Sequence, residues 1–201
     1  MATEGGDSAP DPDPATDPAA DPRAEYDYTA GEVERPELVA ELEPLVDGEV
    51  RFDEYTRTLY ATDASAYAVT PVGVVFPTDV DDAAAVVERC RERSVPVLPR
   101  GGGTSLAGQT VNEAVVLDFT RHMDGLVGTD PEARTATAEP GIRLGDLNAD
   151  LAGHGLKFAP DPAWGDKSAL GGAIGNNSTG SHSLKYGKTV PSASTASTDS
   201  T

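Results

Sequence analysis

Apolar positions along the chain fall in short bursts set off by proline, glycine and aspartate, and the bursts alternate between strand-like and helix-like spacing. Val72 to Phe76 (VGVVF) is a β-branched run entered through Pro71 and left through Pro77, which predicts a buried strand. A helix should follow. Thr78 can cap it, Asp79, Asp81 and Asp82 complement its dipole, and Val80, Ala84, Val87 and Cys90 or Arg91 recur at helical spacing, which places Cys90 in the core. Val95 to Pro99 (VPVLP) reads as a second strand, so a β-α-β unit runs straight into Arg100 and three glycines. Ala114 to Phe119 (AVVLDF) is a third strand signal. Leu126 to Gly128 and Arg134 to Glu139 predict a hairpin around Asp130 and Pro131, and Leu144, Leu147 and Leu151 line a helix that ends near Gly153 and Gly155.

The two ends lack this pattern. Residues 1–35 contain DPDPATDPAADP, in which each Asp-Pro step opposes helix and almost nothing apolar is available to bury, so an acidic disordered arm is expected. Residues 190–201 include PSASTASTDST and read as a disordered tail. A folded domain over 36–189 is expected between them. Composition sharpens this division, because the 201 residues carry a net charge of −19, and residues 1–50 hold 15 acids against 2 bases, whereas 99–189 hold 10 against 8. So acidic a chain does not suit a nucleic-acid backbone or an anionic membrane surface. One Cys and three His supply no convincing metal-ligand set, and the N-terminus lacks the basic and apolar regions of a secretory signal, so a cytoplasmic protein with no transmembrane segment and no metal is expected. The 4 Lys against 11 Arg, with abundant carboxylates, suit a cytoplasm of high salt, a halophilic character.

Chemistry concentrates in three glycine-rich segments: Arg100 to Gln109 (RGGGTSLAGQ), Glu139 to Leu147 (EPGIRLGDL) and Asp161 to Thr189. Glycine lets main-chain N–H groups approach a ligand, so a strand leading into Gly-Gly-Gly-Thr-Ser suits a phosphate or pyrophosphate. Two nucleotide fingerprints fail. From Gly101 the sixth position of a Rossmann motif is Leu106, and five residues before Gly187-Lys188-Thr189 a Walker loop would need glycine where His182 stands.

The order PRGGGTSLAGQ after a β-α-β unit, Pro140-Gly141 before a Leu-rich helix, FAPDPAW, and then GGAIGNNSTGSHSLKYGKT resembles the FAD-binding domain of the vanillyl-alcohol oxidase and para-cresol methylhydroxylase (PCMH) superfamily. It is most similar to the glycolate oxidase and D-lactate dehydrogenase group, over roughly Arg51 to Thr189. The resemblance implies an α+β fold, the N-terminal part of a PCMH-type domain. It also implies cofactor-binding roles for Pro99, Arg100, Gly101, Gly102, Gly103, Thr104 and Ser105 around the FAD pyrophosphate, continued by Gly108 and Gln109. Pro140 and Gly141 would lie against the flavin. Pro160, Asp161 and Pro162, with Gly171, Gly172, Gly175, Asn176, Asn177, Ser178, Thr179, Gly180 and Ser181, would form its wall, with Trp164 packed nearby. Some relatives attach FAD through a histidine where this chain has Thr104, so noncovalent FAD is expected.

The resemblance further implies oxidation of a small 2-hydroxy acid, D-lactate or glycolate, with electrons passed to a further acceptor or an iron-sulfur partner. Family members continue into more strands and a substrate domain, where this chain runs into Val190-Pro191 and a Ser/Thr-rich tail. The catalytic residues are therefore unknown, and the chain is expected to be a truncated, inactive part of the parent enzyme. Two rival readings are a nucleotide-binding module without chemistry and an acidic interaction protein acting through its N-terminal arm.

Overall fold

A computed structural model describes residues 32–162 and 164–189. Two strands with uninterrupted burial form its centre, β2 (Gly73–Phe76) and β4 (Val115–Asp118), after the first strand β1 (Glu49–Arg51) and before β5 and β6 below; β3 (Val97–Arg100) completes the sheet. The order is β1-β2-β4-β3, with β1 antiparallel and the other three parallel. The strands of the β-α-β unit are thus not neighbours, because β4 lies between them and pairs Val116 with both Val74 and Leu98. A continuous β-branched run fits a strand covered on both faces.

On one face Val75, Val115 and Leu117 pack with Phe52, with Leu38 and Leu42 of α1 (Pro36–Leu42), and with Val86 and Cys90 of α3 (Val80–Glu92). On the other, Val74, Phe76 and Val116 meet Tyr60, which follows α2 (Glu54–Leu59), and Leu98. A second core joins the hairpin β5 (Leu126–Asp130) and β6 (Thr135–Ala138) to α4 (Leu144–Ala152) and α5 (Leu170–Gly175), through Leu126, Ala138, Ile142, Leu147, Leu151 and Ala173. A short α6 (Ser183–Tyr186) ends the described chain near buried Thr189.

The predicted strands, hairpin and Leu-rich helix all form, and the arrangement is the expected α+β one with β-α-β elements. The apolar side assigned to the helix after β2 is corrected. Val80 and Val87 are 67% and 46% exposed, Ala84 is exposed too, and Asp82, Val86 and Cys90 face the core. Its N-cap is Asp79, which accepts from Asp82 N–H, and not Thr78. The reason is long-range: the Asp82 carboxylate accepts from the main-chain N–H of Asp47 (2.9 Å), Gly48 (3.1 Å) and Thr78 (2.9 Å), and from the Thr78 hydroxyl. Turning Asp82 inward to satisfy those donors turns Val80 and Val87 outward. Burial pushes the Asp82 carboxyl up, but the hydrogen bonds from Thr78, Asp47 and Gly48 outweigh it and hold its pKa below the usual aspartate value.

Ordered pairing also begins inside the segment expected to be disordered. Val33 bridges Asp53, Glu34 N–H donates to the Phe52 carbonyl at 3.0 Å, and the Arg35 carbonyl accepts from Leu38 N–H, so residues 33–35 are tied to the fold. The rest of the expected arm, 1–31, and the expected tail, 190–201, lie outside the described residues. Among the described residues no helix is long and apolar enough to cross a membrane.

Candidate functional site

The three glycine-rich segments converge at the C-terminal ends of β3 and β4, and main-chain contacts hold them together. A Cβ on Gly102 would stand 1.9 Å from the Lys167 carbonyl oxygen, so glycine is required where the first loop crosses residues 167–169. Thr104 and Ser168 hydroxyls lie 3.1 Å apart at the same crossing. The second segment is stitched to the third by Leu144 N–H to Ser168 O (3.0 Å), Leu170 N–H to Ile142 O (2.9 Å) and Gly171 N–H to Pro140 O (2.8 Å). Pro162 bridges Gly180, closing the third segment on itself.

Gly101, Gly102 and Thr104 are thus brought against the stretch leading into α5, and Pro140 against Gly171, whereas Gly103 lies on the Arg100 side chain and Gly141 on the Phe119 and Met123 carbonyls. Ser105, Gly108 and Gln109 take another course. The Ser105 hydroxyl accepts from Ala107 and Gln109 N–H and bonds the Gln109 side chain, and Gly108, at φ +74°, lies on the Tyr67 ring. Asp161, also at positive φ, gathers Lys157, Ser181 and His182 within 3.5 Å of its Oδ2. Trp164, expected to pack on the wall, is instead 61% exposed with φ +66°, a turn position that aims the ring at solvent.

A cleft of about 330 Å³ opens where these segments meet the sheet, lined by Tyr60, Arg100, Gly101, Gly102, Asp118, Thr120, Arg143 and Lys167. The N–H groups of Gly101 to Leu106 meet no acceptor among the described residues. Arg100 is structural here: its guanidinium donates to the carbonyls of Tyr60 (3.2 Å), Thr110 (3.1 Å) and Thr62 (2.8 Å) and stacks on the Tyr60 ring at 5.0 Å. Buried Asp118 takes the Tyr60 hydroxyl at 2.5 Å and both Thr120 donors at 2.7 Å. Burial, then the Asp118 charge, pushes the Tyr60 hydroxyl far above the usual tyrosine pKa, so it stays a donor.

Sequence reasoning missed Tyr60, Asp118, Thr120, Arg143 and Lys167. Asp118 left one visible trace, an acid inside an otherwise apolar strand, which must find buried donors. The others are placed only by tertiary contacts. Among the described residues no group of three His, Cys, Asp or Glu side chains could hold a metal ion.

The arrangement fits a dinucleotide, since unpartnered amides meet a cleft flanked by cations, and Gly172 and Gly175 of α5 face open space where a Cβ would touch nothing within 4 Å. Comparison with known proteins agrees. Residues 71–193 match the FAD binding domain family. D-2-hydroxyglutarate dehydrogenase of Pseudomonas putida is 39% identical over 145 residues, covering 71% of this chain and 14% of that protein. Glycolate oxidase subunit GlcD of Bacillus subtilis is 36% identical, covering 72% of this chain and 32% of that protein. An alkyldihydroxyacetonephosphate synthase structure superposes with a TM-score of 0.70 at 24% identity, over 79% of this chain and 32% of that one, and shares the fold. The chain spans less than a third of the length of these curated relatives. It belongs to the FAD binding domain family, in the flavoenzyme superfamily that its ordered glycine motifs resemble.

Proposed function

We propose that this chain holds the FAD of a flavoenzyme that oxidises small 2-hydroxy acids, with the cofactor bound noncovalently. The observation that carries the reading is the run of main-chain N–H groups from Gly101 to Leu106 that meets no acceptor among the described residues and begins at the cleft, where Gly101 and Gly102 line it. In this reading the main chain of the loop after Pro99, from Gly101 onward, faces the diphosphate, while Arg100, Ser105, Gly108 and Gln109 hold the loop's shape through the contacts above. Pro140 and Gly141 support the flavin. The stretches 160–162 and 171–181 form its wall, with Gly172 and Gly175 leaving room for close approach. Thr104 offers no imidazole for covalent attachment and is already paired with Ser168. Bound FAD supplies hydride acceptance, whereas this chain binds, orients and shields it.

The 2-hydroxy acid reading rests on relatives named for D-2-hydroxyglutarate and glycolate, and electrons would leave to an acceptor outside this chain.

Titrating the full chain into FAD and following flavin fluorescence tests the proposal, with quenching as the expected result. A chain folded by circular dichroism that leaves flavin fluorescence unchanged overturns it. Anaerobic D-lactate, glycolate or D-2-hydroxyglutarate then tests the substrate class: bleaching of the bound flavin band supports it, and a band that stays unchanged with all three counts against it.

A further inference from the structure

We infer that Arg143 and Lys167 form a cation pair that holds the diphosphate of the bound dinucleotide from the side of the cleft facing the glycine loop. The inference deepens the cofactor reading above and rests on it. Among the described residues three cations line this cleft, and Arg100 is consumed by three carbonyls and a ring. Arg143 and Lys167 are exposed and make no ion pair or side-chain hydrogen bond among the described residues. Asp118 is the one acid among the described residues on the lining, and its oxygens are occupied by Tyr60 and Thr120. Asp166, next to Lys167, lies against Gly145 and does not line the cleft. In a chain of net charge −19, two unneutralised cations beside unpartnered amides make a local site for a dianion.

Position argues for ligand binding over helix stability. Arg143 occupies the N-cap of α4 without making a side-chain cap bond, where its charge opposes the helix dipole and Ser, Thr, Asp or Asn would stabilise more. Lys167 is fixed in place because its carbonyl abuts Gly102, so its side chain starts beside the loop whose amides are free. Residue 143 also bridges Ala169, so both cations hang from one stitched pair of segments. The Gly101 and Gly102 amides at the cleft, continued by the unpartnered amides of the same loop, together with two cations offer more donors than a single carboxylate uses, which favours diphosphate.

The test measures affinities of the full chain for FAD, ADP and riboflavin by fluorescence and calorimetry across a salt series. Arg143→Gln and Lys167→Gln should each weaken FAD and ADP about tenfold and flatten the salt dependence, with riboflavin unchanged. Arg91→Gln, on the far helix α3 and paired with Glu88, removes the same charge and should change nothing. If wild type binds FAD and ADP and the two variants match it, the inference fails while the cofactor reading stands. Variants that lose competition by D-lactate or glycolate but keep ADP would assign the pair to a carboxylate and overturn it. Absence of FAD binding by the folded wild type overturns both.

Discussion

The parallel sheet and the glycine layer above it are built by opposite means. In the sheet, side chains from both faces exclude water: Val74, Val75, Val115 and Val116 are fully buried, and Phe52 fills the space left by Gly73. In the glycine layer, backbone lies on backbone, and order comes from main-chain hydrogen bonds at residues 140–145 and 165–171. The first region is stable because it is dry. The second leaves N–H groups open toward a cleft, which a packed side-chain core could not do without stranding polar groups. Scaffold and site are divided accordingly, the sheet fixing the strand ends and the loops presenting the amides.

The largest expected effect breaks the first region. Phe52→Ala should destabilise by about 3–5 kcal/mol, read from denaturant unfolding, because the cavity beside Gly73 cannot collapse onto a paired strand. Gly102→Ala strikes the second region and should cost about 1–3 kcal/mol, with FAD affinity lost as well, since the loop must lift from Lys167. A Gly102→Ala chain as stable and as tight-binding as wild type would show that the crossing is slack.

Asp82→Asn should cost about 1–2 kcal/mol and flatten the acid limb of stability. The folded carboxyl titrates below the usual aspartate value despite the opposing effect of burial, because Thr78, Asp47 and Gly48 donate to it. Its stabilisation is therefore full above the unfolded value near pH 4 and is lost as pH falls through the lower folded value. Thermal melts between about pH 2 and 5, compared with wild type, check this. The smallest effect on stability is expected at Gly172→Ala, within about 1 kcal/mol and if anything stabilising, because nothing surrounds that Cβ and the position is helical. Its FAD affinity should nonetheless fall, because the proposed flavin wall uses that open space. Unchanged affinity would place the flavin elsewhere.

Legibility divides along the same line. Burial written as a run of β-branched residues could be read locally, so β2, β3 and β4 were found within a residue or two. The short α1, β1 and α2 went unseen, since seven or fewer residues with mixed polarity carry little periodic signal. The face of α3 was misread because Asp82 answers donors more than thirty residues away. For the site, glycine clusters pointed to close approach, yet Gly102 is explained by a chain crossing and Gly172 by open space, a distinction that only coordinates make.

By itself the sequence determined the strands of the core, the hairpin, the separation of the charge toward residues 1–50, and the clustering of glycine in three segments, because each depends on composition or short-range spacing. Tertiary structure decided that β4 enters between β2 and β3, that Arg100 serves the scaffold, and that Tyr60, Asp118, Arg143 and Lys167 share one cleft. Those outcomes depend on which hydrogen-bond donors and charges meet across long loops, and chain spacing does not encode such meetings locally.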